Sequence, residues 1–297
     1  MVKRYADLYL DARKALLPTE GENAALIARE LLCKYSGKSA AEFLASRDLY
    51  ASEEIAAQVE DGVRRILDGE PLPYILEEWD FAGMTLRVTR DTLIPRDDTM
   101  AVTDLAVRKT MFLEQNPRIL DLCTGTGCIG LAVANRVKDA RVTLADVSLP
   151  ALSVAKENAA RMKFGPRVQC IQADALKLAP GFLRNYDLLV SNPPYVTEAE
   201  MAALPDSVRR FEPELALSGG PDGLKFYRAI VKNYLPVLKP GGFLCLEFGM
   251  GQEDEVGRIL ERGGCEVVKF QEDARGITRA VMAQKKGEEN GIEETGL

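Results

Sequence analysis

Apolar residues recur every three or four positions from Ala24 to Tyr35, the spacing of one face of a helix. Leu8, Leu10, Leu16 and Leu17 predict another helix before it. Ser39-Ala-Ala-Glu42 is a capping-box pattern that opens a short helix carrying Phe43 and Leu44. Ser52 opens a further helix with Ile55, Val59, Val63, Ile66 and Leu67 along one side, stopped by Gly69 and Pro71. Residues 1–70 therefore predict a small helical bundle. It holds no cluster of catalytic residue types, which leaves it recognition or support.

The pattern changes over residues 71–92. Trp79, Phe81, Leu86 and Val88 alternate with polar residues around Gly83, as in a β-hairpin. Leu93-Ile-Pro-Arg96 breaks the chain before a helix that Asp97, Asp98 or Thr99 is placed to cap. Short apolar runs then alternate with helical spacing up to residue 284, with strands expected near 118–122, 141–145, 167–172, 186–190, 242–248, 265–271 and 277–283. That order predicts an α/β domain, a mostly parallel seven-stranded sheet with helices on both faces. The last two strands share a short loop, so one of them runs antiparallel. Residues 285–297 are polar and acidic and read as a disordered tail.

Composition narrows the chemistry. The 297 residues carry a net charge of −7 and no histidine. Catalysis through imidazole and imidazole metal sites are excluded. The acidic balance disfavours tracking along nucleic acid, which takes a basic stripe. Six cysteines form no C-x-x-C pair and lie mostly in apolar runs, so buried, reduced thiols and a cytoplasmic location are expected, with no metal. Residues 1–13 are too charged for a signal peptide, and no run approaches a membrane span.

The strand Arg118–Leu122 contains Asp121 and runs into Cys123-Thr-Gly-Thr-Gly-Cys-Ile-Gly130 and a helix. Glycines there permit a tight turn and close approach of a ligand to backbone N–H groups. The next strand ends at Asp146, about twenty residues on, which is the spacing of a dinucleotide fingerprint. A nicotinamide oxidoreductase is thus one reading. S-adenosylmethionine is the other. Asp121 before the turn would attract an ammonium group and repel a pyrophosphate, and Asp174 follows the third strand, where an adenine amino group would sit. Asp146 taken alone could instead cap the following helix.

Asn192-Pro-Pro-Tyr195 leaves the strand Tyr186–Ser191 at the same sheet edge. The prolines have no N–H to donate, so the turn offers carbonyl oxygens, to which Asn192 adds a side-chain carbonyl and Tyr195 an aromatic face. Such a turn suits a planar NH2 group whose nitrogen attacks an electrophile.

At these residues the chain resembles the class I S-adenosylmethionine-dependent methyltransferases, and within them the release-factor glutamine methyltransferases of the PrmC/HemK family. The likeness runs through Gly69–Ile75, Phe81–Gly83, Leu93–Arg96, Asp121–Gly127, Ser191–Val196, Phe211–Pro213, Gly219–Gly223, Phe226-Tyr227 and Glu247–Gly249. Asp97-Asp-Thr-Met100 stands where the family usually has Pro-Glu-Thr-Glu. Glu77-Glu78 occupies a region with a usual Gly, and Asp273–Arg279 keeps only the outline of the family pattern.

The resemblance implies a Rossmann-like class I sheet and methyl transfer from S-adenosyl-L-methionine to the side-chain amide nitrogen of the glutamine in a release factor's Gly-Gly-Gln motif. S-adenosyl-L-homocysteine is the implied product. Asp121, Cys123, Thr124, Gly125, Thr126, Gly127, Asp146, Asp174, Ala175 and Asn192 would bind the cofactor. Asn192, Pro193 and Tyr195 would be catalytic. Pro194, Glu212 and Arg96 would join them against the substrate, although Arg96 could instead meet the cofactor carboxylate or pair with Asp97. Phe211 could border the substrate groove or anchor its loop to the core. The alternative activity is amino methylation of adenine or guanine in nucleic acid through the same tetrapeptide.

Overall fold

A computed structural model describes residues 3–287. The chain divides into two compact units, one taking in Met1–Trp79 with Pro205–Phe211, the other Asp80–Leu204 with Glu212–Leu297.

The first unit holds α1 (Tyr5–Glu20), α2 (Ala24–Ser36), α3 (Ala40–Ala45), α4 (Glu53–Leu67) and α5 (Leu72–Leu76). Ser39 and Glu42 close the capping box at α3, and Ser52 accepts from the Ile55 amide at the start of α4. Leu8, Ala12 and Leu16 form the buried stripe of α1, whereas Leu10 and Leu17 face solvent. Leu67 is likewise exposed, while Val59, Val63 and Ile66 are buried. Gly62 lets α2 and α4 approach closely, since a Cβ there would lie 2.9 Å from Leu31. Glu77 ends α5 in the left-handed region at φ 58°, which explains why glycine suits this neighbourhood.

The hairpin is β1 (Glu78–Phe81) and β2 (Met84–Arg87), turned by Ala82 and Gly83 at φ 51° and 76°. Two positive φ values are what a two-residue hairpin turn of right-handed twist takes. The division between units falls within β1.

The second unit continues with α6 (Met100–Met111), β3 (Arg118–Leu122), α7 (Cys128–Arg136), β4 (Arg141–Asp146), α8 (Leu149–Arg161), β5 (Val168–Gln172) and β6 (Tyr186–Ser191). Then come α9 (Glu198–Met201), α10 (Asp206–Phe211, counted with the first unit), α11 (Lys225–Tyr234), β7 (Leu238–Glu247), α12 (Glu253–Arg262), β8 (Cys265–Glu272) and β9 (Thr278–Lys285). The sheet order is β5-β4-β3-β6-β7-β9-β8, with β9 antiparallel to both neighbours and the pairs from β5 to β7 parallel. Adjacent residues of one strand serve opposite faces. Leu188 and Val190 pack in one apolar core with Leu131 and Leu144, while Leu189 packs in the other with Leu122 and Tyr227.

Register sets the functional edge. Leu122 lies opposite both Ala145 and Ser191, and Asp146 opposite Gln172. The glycine turn, Asp146, the residues after β5 and Asn192 therefore leave the sheet side by side.

Two boundaries differ from expectation. β7 starts at Leu238, which pairs with Tyr186, and Lys239–Gly242 interrupt the ladder before Phe243 pairs with Leu188. β9 reaches Lys285, whose ammonium donates to the Leu238 carbonyl at 2.9 Å, so the expected tail cannot start there. The rest of that tail, residues 288–297, lies outside the described residues. Among the described residues no helix is long and apolar enough to cross a membrane. All six cysteines are free, with Cys128, Cys245 and Cys265 buried.

Candidate active site

The turn after β3 is braced from within. Asp121 is fully buried, and its Oδ2 accepts from the Thr124 hydroxyl at 2.6 Å and from the Gly130 amide at 2.8 Å. A Cβ at Gly130 would lie 2.4 Å from Leu144 and 2.9 Å from that carboxylate, so the amide reaches Asp121 only because the residue is glycine. Cys123, Gly125 and Gly127 take φ of 60°, 53° and 86°. Burial pushes the Asp121 carboxyl up to about 7. The carboxylate expected to hold an ammonium group gives its Oδ2 to the turn, its Oδ1 is buried without a partner, and the residue is not on the wall of the cavity beside it.

Asp146 does two jobs. Its Oδ2 accepts from the Gly125 amide and its Oδ1 from the Ser148 amide, each at 2.9 Å, while Ser148 itself caps α8. Burial raises its carboxyl while those backbone donors oppose the shift. Its position on the cavity wall leaves lone pairs for further donors. Asp174 also reaches the wall, with Oδ1 accepting from Leu176 N at 2.9 Å.

On the other side, the Ser191 hydroxyl donates to the Leu122 carbonyl at 2.6 Å and ties the tetrapeptide to β3. The Asn192 Nδ2 donates to the Thr99 hydroxyl at 3.3 Å. Gln252 Nε2 donates to the Tyr195 carbonyl at 3.2 Å, and Gln252 Oε1 accepts from Gly249 N at 2.9 Å. Gly219 and Gly223 press on the same residue. A Cβ at Gly219 would lie 2.8 Å from Tyr195 Cα, and one at Gly223 only 2.4 Å from Tyr195 O.

Beneath lies Glu247, at the end of β7 and 1% exposed, with its Oε2 unpartnered. Burial pushes its carboxyl up to about 8. Burial likewise raises the Tyr195 hydroxyl above its ordinary range.

The cavity is lined by Cys123, Thr124, Gly125, Thr126, Asp146, Asp174, Ala175, Asn192 and Pro194 of the expected residues; Asp121, Gly127, Pro193 and Tyr195 are not on its wall. It also takes in Leu93, Pro95, Thr99, Ile129, Leu215 and Phe226. Carboxylates, backbone N–H groups and apolar walls are the surroundings that a nucleoside with a charged tail requires.

Arg96 corrects another expectation, for its guanidinium pairs with Glu212, not Asp97. Glu212 is buried and lies off the cavity wall, whereas its neighbours Pro213, Leu215 and Ala216 are on it. Burial raises the Glu212 carboxyl and Arg96 opposes this. Phe211 ends α10 and so belongs to the first unit. None of Asp97, Asp98 and Thr99 caps a helix with its side chain. Sequence reasoning missed Thr99 as a partner of Asn192, and missed Glu247 and Gln252. The only signal was the family-like Glu247–Gly249 segment. Among the described residues no group of three or more metal-ligating side chains occurs.

Residues 103–210 match the family model described as Methyltransferase small domain, and residues 7–76 match the PrmC N-terminal domain. The chain is 36% identical over 259 residues to the release factor glutamine methyltransferase of Clostridium acetobutylicum, covering 87% of this chain and 90% of that protein. It is 36% identical over 274 residues to that of Geobacter sulfurreducens, covering 92% and 94%. The chain belongs to the release factor glutamine methyltransferase family. A methyltransferase structure from Pyrococcus furiosus, 18% identical, aligns over 76% of this chain and 99% of its own with a TM-score of 0.50, which speaks to the fold alone. Release factor glutamine methyltransferases use S-adenosyl-L-methionine, and the cavity's acids, open glycine turn and apolar walls fit that cofactor.

Proposed function

We propose that this chain transfers a methyl group from S-adenosyl-L-methionine to the side-chain amide nitrogen of the glutamine in the Gly-Gly-Gln motif of peptide chain release factors. The observation that carries the reading is the placement of Asn192-Pro193-Pro194-Tyr195 at the edge where the glycine turn and Asp146 border one cavity. Bound there, the cofactor supplies an electrophilic methyl group on sulfonium sulfur. Thr124, Gly125, Asp146, Asp174 and Ala175 hold it in this reading.

An amide nitrogen is a weak nucleophile because its lone pair is delocalised into the carbonyl. The Asn192 Oδ1 and the Pro193 carbonyl accept its two hydrogens and fix it in place. Positioning of this kind supplies several kcal/mol, with about 7–11 as the upper range. The same oxygens stabilise positive charge growing on nitrogen, the inverse of an oxyanion hole. Tyr195 packs on the planar amide and adds cation–π attraction. The methylated, protonated amide is acidic enough to release its proton to water, so a chain without histidine lacks nothing the chemistry needs.

We read residues 1–70 as the part that grips the release factor, residues 71–92 as the connecting hairpin and residues 93–284 as the catalytic domain. Exposed Leu44, Leu49 and Tyr50 offer apolar surface for such a grip. Cofactor and release factor incubated with the enzyme, followed by intact-mass measurement and fragment mapping, test the reaction. One methyl on the Gly-Gly-Gln glutamine is expected. Transfer to nucleic acid instead would overturn the substrate while keeping the tetrapeptide chemistry.

A further inference from the structure

We propose that Gln252 is a positioning residue for methyl transfer. Its side-chain amide clips the Tyr195 carbonyl to the end of β7 and so sets where the Asn-Pro-Pro-Tyr turn stands. The inference rests on the reading of that turn as the holder of the substrate amide.

The turn has few anchors of its own. Pro193 and Pro194 have no N–H, so neither can tie it to a neighbour through a backbone donor. Upstream, the Ser191 hydroxyl holds it to Leu122 and the Asn192 Nδ2 holds it to Thr99. Downstream, Val196 N donates to the Leu217 carbonyl at 2.9 Å, and the Val196 carbonyl accepts from Gly219 N at 2.8 Å. Between these anchors Gln252 Nε2 donates to the Tyr195 carbonyl at 3.2 Å.

The direction of that amide is fixed by its partners. Its Oε1 accepts from Gly249 N at 2.9 Å. A backbone N–H can only donate and a backbone carbonyl can only accept. The two together select one orientation, nitrogen towards Tyr195, whatever the charge on nearby acids. The backbone of Gln252 is held as well. Its N–H donates to the Gly249 carbonyl at 3.2 Å, and its carbonyl accepts from Val256 N at 2.9 Å at the start of α12. Gln252 therefore uses both polar groups of Gly249.

Two glycines make the room. A Cβ at Gly223 would lie 2.4 Å from the Tyr195 carbonyl and 2.5 Å from Gln252 Nε2, so a side chain there would part the two. A Cβ at Gly249 would lie 3.1 Å from Tyr195 Cδ2 and 3.2 Å from Gln252 Oε1. The Tyr195 ring thus lies against Gly249 while its carbonyl is tied to the same glycine through Gln252. With φ fixed at both prolines, a shift of Tyr195 moves the Pro193 carbonyl with it. Gln252 is not on the cavity wall, so it acts through the turn and not on a ligand.

The test measures kcat on a release factor, cofactor Kd, the urea midpoint and the NMR signal of the Tyr195 ring in wild type and Gln252→Met. Methionine keeps the length of the side chain and removes both polar atoms. The ring signal, in protein carrying isotope-labelled tyrosine, is assigned by its loss in Tyr195→Phe. Losing the clip predicts a kcat lower by about 10-fold. Cofactor Kd should stay within about twofold of wild type, the split expected when the reacting centre and not the binding site is disturbed. The Tyr195 signal should shift with no ligand bound. Gln252→Ala replaces the methionine variant if the latter fails to fold. Unchanged kcat beside an active wild type overturns the inference and leaves the reading of the turn standing, and so does an unmoved Tyr195 signal. A kcat loss matched by lost cofactor affinity and a lowered urea midpoint assigns Gln252 to the scaffold alone and overturns it too. A wild type that puts no methyl on the Gly-Gly-Gln glutamine removes the reading on which it rests.

Discussion

The guanidinium of Arg275 meets both oxygens of Asp98, at 2.7 and 2.8 Å. Arg279 reaches the same carboxylate at 3.1 Å, and Asp273 pairs with both arginines. Asp98 and Asp273–Arg279 are two places where this chain departs from the usual family pattern, so the two departures meet in one ion cluster. Arg275 is well exposed, which screens its share. Asp98→Asn is expected to lower stability by about 1 kcal/mol or less, read as a small shift of the urea midpoint. A loss of several kcal/mol would show that the cluster holds the site together.

Asn192→Ala should separate chemistry from binding. Removing one preorganised acceptor lowers kcat by roughly 100- to 1,000-fold by analogy with a lost oxyanion donor. Cofactor affinity, which the proposed function spreads over the glycine turn, Asp146 and Asp174, should change far less. Single-turnover rates and calorimetric titration of the same variant give both numbers.

Glu247 makes stability depend on pH. Its carboxyl is raised from 4.5 to about 8 in the folded protein, so the native state keeps a proton that the unfolded chain has released. The contribution is fully present below about 4.5 and is lost as pH rises through about 8. Glu247→Gln cannot lose that proton. Its stability relative to wild type should therefore climb across this window and level off above it. Asp121, raised to about 7, titrates in both proteins and cancels from the difference. Urea unfolding at several pH values tests this, and a flat difference would mean the acid is ionised throughout.

Gly223→Ala should damage the site without touching a ligand. The new Cβ would lie 2.4 Å from the Tyr195 carbonyl, at a backbone φ of 71°. Left-handed strain and overpacking together cost about 2–4 kcal/mol. Turnover should fall together with the unfolding midpoint, and unaltered kinetics would mean the loop can step aside.

Glu77→Gly should stabilise. Glu77 sits at φ 58°, where a side chain costs about 1–2 kcal/mol and glycine returns about 0.5–1 of that in chain entropy. A net gain of about 0.5–1 kcal/mol is expected in urea unfolding.

The sheet was readable because its strands are short, apolar and bounded by turns, as in Arg118–Leu122 and Tyr186–Ser191. The start of β7 was not, because Lys239-Pro-Gly-Gly242 has the composition of a turn and forms an irregularity between the Leu238–Tyr186 and Phe243–Leu188 pairs. Helical spacing indicated α1 but not which leucines it buries, since Leu8 and Leu10 look alike until a partner helix is in place. At the site, motif residues next to one another in sequence were legible. Arg96 with Glu212, and Asn192 with Thr99, were not, because 116 and 93 residues separate the partners. The inward bonds of Asp121 were not legible either. An acid before a glycine turn can face a ligand or the turn, and the choice depends on the amide of Gly130, nine residues on.

That inward-facing acid has a kinetic consequence. With Thr124 and Gly130 already gripping Asp121, and Gly125 gripping Asp146, the turn needs no ligand to keep its shape. A binding loop that is ordered beforehand loses little entropy on association. Exchange of spent for fresh methyl donor then requires no refolding of that loop.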